Sequence, residues 1–190
     1  MGVELDQYTR ALALFGEQLR DVADDQWELP TPCPAWDVRQ LVAHVVLGEA
    51  LVPPLLAGEP AQAQPEVDPT VLGTNPLTAW RGTALAAMEA VRVLDSLDVV
   101  VDHPVGSIPV HVLLGFRVTD NLVHSWDLAI ALGQPIDLPE DLADACLEFW
   151  LPLADSLGEN GFFGPMIEPA AGAGAGSRLL GLLGRQVPAT

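Results

Sequence analysis

One segment, Pro109–Leu132, reads as a long apolar helix yet carries Arg117, Asp120, His124 and Asp127 at steps of three, four and three residues. Residues three and four apart share one face of an α-helix, so this spacing draws an ionisable stripe along an apolar rod. Burying such groups is costly unless they are paired or bound to a metal. The rod therefore needs apolar helices around it, and the stripe needs a chemical reason.

Other segments supply those helices. Leu5, Tyr8, Leu12, Phe15, Leu19 and Val22 step by three and four, predicting an amphipathic helix. The stretch Trp27–Trp36 contains TPCPAW and prolines at 30, 32 and 34, and reads as a broken connection. A second helix is expected from Asp37, a good N-terminal residue, with an apolar stripe of Val38, Leu41, Val45, Gly48, Val52 and Leu55. Pro53 and Pro54 should kink or end it. Glu59–Gly73 has loop composition, and Asn75-Pro76 starts a third helix reaching about Leu94. Val99–Val110 predicts an irregular turn or a brief hairpin, and Gly133 closes the fourth helix. A last helix of the main body is expected over Pro139–Ser156, then a Gly-, Ala- and Pro-rich loop over Gly161–Gly176 and two helical turns over Ser177–Gly184. Four long helices with one small β element predict an all-α fold, a four-helix bundle over residues 1–156. Residues 157–190 are expected to form a C-terminal extension packing on the same domain.

Composition narrows the function. Eight arginines and no lysine face 26 acidic residues, a net charge of −18 that argues against nucleic acid and anionic membranes as partners. Two cysteines, Cys33 and Cys146, are too few for a disulfide framework. No apolar run has the length of a membrane span, and Met1–Thr9 lacks a basic region followed by an apolar one, so a cytoplasmic location is expected.

Within the second helix, His44 falls on or beside the inward stripe. By position alone it suits a core-edge histidine bonded to a carbonyl as well as a ligand. Asp120 and His124 form an i, i+4 pair, the geometry by which a helix offers two ligands to one ion, or simply an intrahelical hydrogen bond. Joined in a bundle core, the three make a two-His, one-carboxylate set with an open position, typical of catalytic rather than structural metal sites. Arg117 could grip a substrate carboxylate or neutralise Asp120 or Asp127. Asp127 could orient His124 from behind, or cap or pair locally. His103 and His111 read as ordinary turn or surface residues, Cys33 as a packed small hydrophobe, and Trp36 and Trp126 as core walls.

Three stretches, TPCPAWDVRQLVAHVV (31–46), VTDNLVHSWDLAIALGQP (118–135) and RLLGLLGRQVP (178–188), resemble the mycothiol-dependent maleylpyruvate isomerase superfamily, DinB-like four-helix metalloenzymes. The resemblance runs nearly end to end, in the single-domain form. It implies that the second-helix histidine and a Glu-x-x-x-His pair on the later helix bind a divalent metal, zinc in the family; here these are His44, Asp120 and His124. Asp120 replaces the family's usual glutamate and is one methylene shorter, a reach of roughly 1.5 Å.

The resemblance further implies a zinc-held low-molecular-weight thiol, mycothiol in the family, used for isomerisation or S-transfer of a small anionic substrate. Arg117 would then orient an anionic substrate or the thiol, and Asp127 is the other residue expected to be catalytic. The residues alone leave two other classes open. One is a metal-independent biosynthetic enzyme, a cyclase, lyase or isomerase working by acid/base chemistry. The other is a non-catalytic small-molecule- or metal-binding bundle, which could be a homodimer through an apolar helix face.

Overall fold

In a computed structural model, the structure describes residues 5–59, 66–157 and 163–187. Helix α1 (Leu5–Arg20) buries Tyr8, Ala11, Leu12, Phe15, Gly16 and Leu19, the face that the three-and-four spacing outlines. Helix α2 (Val38–Ala50) begins at a capping box. Asp37 Oδ1 accepts from the Gln40 amide at 2.8 Å, while Gln40 Oε1 accepts from the Asp37 amide at 3.0 Å. Pro53 and Pro54 cannot continue the hydrogen-bond ladder, so α2 stops and a short α3 (Val52–Leu56) takes the prolines in its first turn. Part of the expected Glu59–Gly73 loop, residues 60–65, lies outside the described residues; Pro69–Leu72 form a 3-10 turn.

Helix α4 (Pro76–Arg92) starts as the Asn75-Pro76 pair predicts, with Asn75 Oδ1 accepting from the Thr78 amide at 2.9 Å. The following segment resolves the choice between turn and hairpin. Strands β1 (Val100–His103) and β2 (Gly106–Pro109) pair antiparallel, with Val101 opposite Ile108. The long rod is α5 (Val110–Ala131), buried on nearly every side. It ends in a Schellman turn in which Gly133, at φ +70°, lets Gln134 N reach Ala129 O at 2.9 Å.

Helices α1 and α2 each pack against both α4 and α5, closing a four-helix ring. The side chain of Phe15 is fully buried there, worth roughly 1.5–3 kcal/mol of apolar transfer. On α1, Gly16 admits Trp80 of α4: a Cβ at that position would lie 2.6 Å from Trp80 Cζ3.

The chain divides into two compact units, Met1–Pro135 and Ile136–Thr190, a boundary earlier than the expected one after residue 156. In the second unit α6 (Glu140–Trp150), which buries Leu142, Cys146 and Leu147, packs against α8 (Ala175–Leu182), past the single turn α7 (Ala154–Leu157). The α6 helix therefore belongs with the C-terminal segment. Glu140 Oε2 accepts from the Ala175 amide at 2.8 Å, satisfying a donor at the start of α8. No described helix is long and apolar enough to cross a membrane.

Candidate metal centre

The polar stripe of α5 splits into two linked groups. Towards α2, His44 Nε2 lies 3.4 Å from Asp120 Oδ2, and the His44 and His124 rings meet edge-on with centroids 5.1 Å apart. Trp36 stacks on His44 at 4.5 Å and tilts onto His124 at 5.9 Å, so the proline-rich connection walls both imidazoles. One donor atom from each of His44, Asp120 and His124 lies within 4.8 Å of the others. Metal–ligand bonds of about 2.0–2.1 Å set tetrahedral donors roughly 3.3 Å apart, which the His44–Asp120 separation of 3.4 Å matches.

Protonation suits the same use. Burial pushes the His124 imidazole down, and His44 adds to this; the hydrogen bond and charge of Asp127 and the charge of Asp120 oppose it without winning. The ring is thus a neutral donor. Its Nδ1 lies 2.9 Å from Asp127 Oδ2, and a carboxylate accepting there leaves Nε2 as the ring's lone pair. For Asp120, burial acts to raise the carboxyl, but Arg117 together with His44 and His124 holds it well below the usual carboxylate range. A neutral imidazole and an ionised carboxylate are the forms a metal requires.

Behind these candidate ligands sits a charge network of which the sequence suggests only the Arg117–Asp120 pair. Glu49 of α2, fully buried, accepts from the Tyr8 hydroxyl, from Arg117 Nε at 3.1 Å and from Asn121 Nδ2 at 2.6 Å. Arg117 Nη1 donates to Asp120 Oδ2 at 2.9 Å, so the guanidinium bridges two carboxylates. Burial works against its charge, but Asp120 and Glu49 outweigh that and keep it protonated. Gly48 makes the room, since a Cβ there would lie 2.5 Å from Arg117 Nη1 and 2.6 Å from Cζ. The available signal was a lone glutamate in an apolar stretch; spacing on α5 offers Asp120 as a countercharge for Arg117, but nothing in it points to Glu49.

Cys33 also proves closer to the chemistry than a packed hydrophobe. Its Sγ donates to Asp127 Oδ2 at 3.4 Å, and Cys33, His124 and Asp127 form a second cluster of donor atoms sharing His124. His103, expected as an ordinary turn residue, is half-buried with its ring 5.5 Å from Phe116. Burial lowers its pKa, with the charge of Arg117 adding and that of Asp120 opposing, so it lies within electrostatic reach of the site. His111 is partly exposed beside Asp98 at 3.4 Å, and Trp126 is a buried core wall, both as expected.

The profile of the mycothiol maleylpyruvate isomerase N-terminal domain matches residues 8–129, which takes in α1 to nearly the end of α5. The chain belongs to this family. Two uncharacterized proteins of Mycobacterium tuberculosis, from strains CDC 1551 / Oshkosh and ATCC 25618 / H37Rv, are each 33% identical over 136 residues, covering 72% of this chain and 71% of theirs. A solved structure of the mycothiol-dependent maleylpyruvate isomerase superposes with a TM-score of 0.59 at 19% identity, over 80% of this chain and 67% of that one. A histidine-to-alanine mutant of that isomerase gives 0.60 at 18% identity with the same coverage. At such identity the superposition shows the shared fold. The family member therefore has the DinB-like helical architecture that its motifs predicted.

Proposed function

We propose that this family member is a metal-dependent enzyme that uses a low-molecular-weight thiol, of mycothiol type, to isomerise or S-transfer a small anionic substrate. The observation that carries the reading is the meeting of His44 and the Asp120–His124 pair from two different helices within 4.8 Å. A quarter of the Asp120 side chain and 17% of His44 remain accessible, so the cluster opens to solvent-borne ligands. A bound zinc supplies an electrophile that holds a thiol as thiolate near neutral pH.

The chain's own residues do the rest. His44, Asp120 and His124 would hold the ion, and Asp127, in contact with His124 Nδ1, would leave Nε2 as the donor atom. Arg117 fixes the Asp120 carboxylate. Nε is bonded to Glu49 and Nη1 to Asp120, which supports a positioning role, while Nη2 is the nitrogen that would meet an anionic substrate. Trp36 shields one side of the histidine pair from water.

Purified protein is expected to carry sub-stoichiometric to stoichiometric zinc, and His124→Ala to lose it. Thiol addition to an activated double bond should require that zinc. Metal analysis finding none, under conditions that do not strip metals, would refute the proposal. One observation favours a second reading: Asp120 is paired with both Arg117 and His44, as an acid/base cluster would be. Turnover unaffected by chelation would select acid/base chemistry at this cluster instead.

A further inference from the structure

We infer that Glu49 is a positioning residue for the metal centre, acting at one remove by sharing the charge of Arg117 and so setting how firmly Asp120 is held back from the ion. The inference rests on the proposed metal site and adds to it a residue that touches neither metal nor substrate.

Glu49 belongs to neither cluster of candidate donor atoms. Its carboxylate is fully buried and takes three hydrogen bonds, from Tyr8 on α1 and from Arg117 and Asn121 on α5. A lone buried carboxylate is costly, so its partner must be a fixed countercharge. That countercharge is the same guanidinium that grips the proposed ligand Asp120, one nitrogen further along. Gly48 leaves room for the guanidinium close against α2, and Nη2 has no hydrogen-bond partner among the described residues. Arg117 is thus fixed in place, with one positive charge facing two carboxylates. Asp120, if it held the ion, would have to share its carboxylate between the ion and Arg117. The more of that charge Glu49 satisfies, the less Asp120 must give up.

Charge and shape can be separated in this argument. Glu49→Gln keeps the side-chain length and an acceptor oxygen but removes the charge. Glu49→Asp keeps the charge and shortens the reach. The measurement is the apparent zinc dissociation constant of each purified protein, by competition with a chromophoric chelator at fixed pH and ionic strength, with circular dichroism to confirm folding. Glu49→Gln is expected to weaken zinc binding roughly 10- to 100-fold, the range known for groups behind metal ligands, while Glu49→Asp stays within about threefold of wild type. Equal affinity in Glu49→Gln and wild type overturns the inference. So does the reverse order, with Gln tolerated and Asp not, since that is the signature of a purely structural contact. If Glu49→Gln does not fold, Glu49→Asp alone decides: a loss of tenfold or more refutes it. Wild-type protein that binds no zinc refutes the proposed function itself, a different result from wild type binding and the two variants failing to separate.

Discussion

Replacing Gly48 with alanine sets two effects of opposite sign against each other. In an exposed helix interior the change should stabilise by about 1 kcal/mol, because glycine is the more flexible residue in the unfolded chain. Here the new Cβ would lie 2.5 Å from Arg117 Nη1 and 2.6 Å from Cζ. To restore van der Waals contact the guanidinium would have to recede by about 1 Å. A long side chain can often do that freely. Arg117 cannot, because Nε is bonded to Glu49 at 3.1 Å and Nη1 to Asp120 at 2.9 Å, both buried or half-buried. Overpacking costs roughly 1–3 kcal/mol, and losing one partner of a buried ion pair approaches about 3–5 kcal/mol. Even after the helix gain, Gly48→Ala should destabilise by about 1–3 kcal/mol. For a chain of this size that lowers Tm by roughly 2–4 °C per kcal/mol. Urea unfolding of metal-free protein, followed by tryptophan fluorescence, reads the effect as a lower midpoint at unchanged slope. A raised midpoint would show that helix propensity decides the matter and that the guanidinium does not rest over Gly48.

Further outcomes follow from other parts of the structure. Tyr8 is the single tyrosine, and burial first, then the charge and hydrogen bond of Glu49, raise its hydroxyl far above the ordinary value, with Arg117 opposing. Its contribution to stability is therefore complete below about pH 10 and declines as pH rises beyond that. Tyrosinate absorbance should appear only together with unfolding, and a signal near pH 10 from protein still helical by circular dichroism would contradict this placement. Asp127→Asn keeps the shape beside His124 but removes the charge, and should weaken zinc binding roughly 10- to 100-fold; an unchanged dissociation constant would remove Asp127 from the centre. Asp37→Ala deletes half of a capping box and should cost about 1 kcal/mol in urea unfolding, whereas no change would mean that α2 starts without it.

Helix positions were largely legible because they depend on local periodicity and punctuation. The 3.6-residue spacing of Tyr8, Leu12, Phe15 and Leu19, the Asn75-Pro76 start and the Gly133 stop each act within a turn or two of their own residues. The stripe Arg117–Asp120–His124–Asp127 was legible for the same reason, since its members ride on one helix. The compact-unit boundary was not. Whether α6 joins the bundle or the C-terminal segment depends on which apolar face it meets, and the α6 sequence, with Leu142, Cys146 and Leu147 inward, would suit either.

The amino-acid pattern by itself determined the rods, their apolar faces, and the ionisable stripe on α5, since all three follow from spacing along one chain. Only the tertiary structure decided which groups meet across rods. Packing brought His44 to Asp120, placed the Cys33 thiol on Asp127, and set Glu49 opposite Arg117. Glu49 and Arg117 are 68 residues apart and Cys33 and Asp127 are 94 apart, and their partnerships depend on helix rotation and crossing, which no local rule encodes.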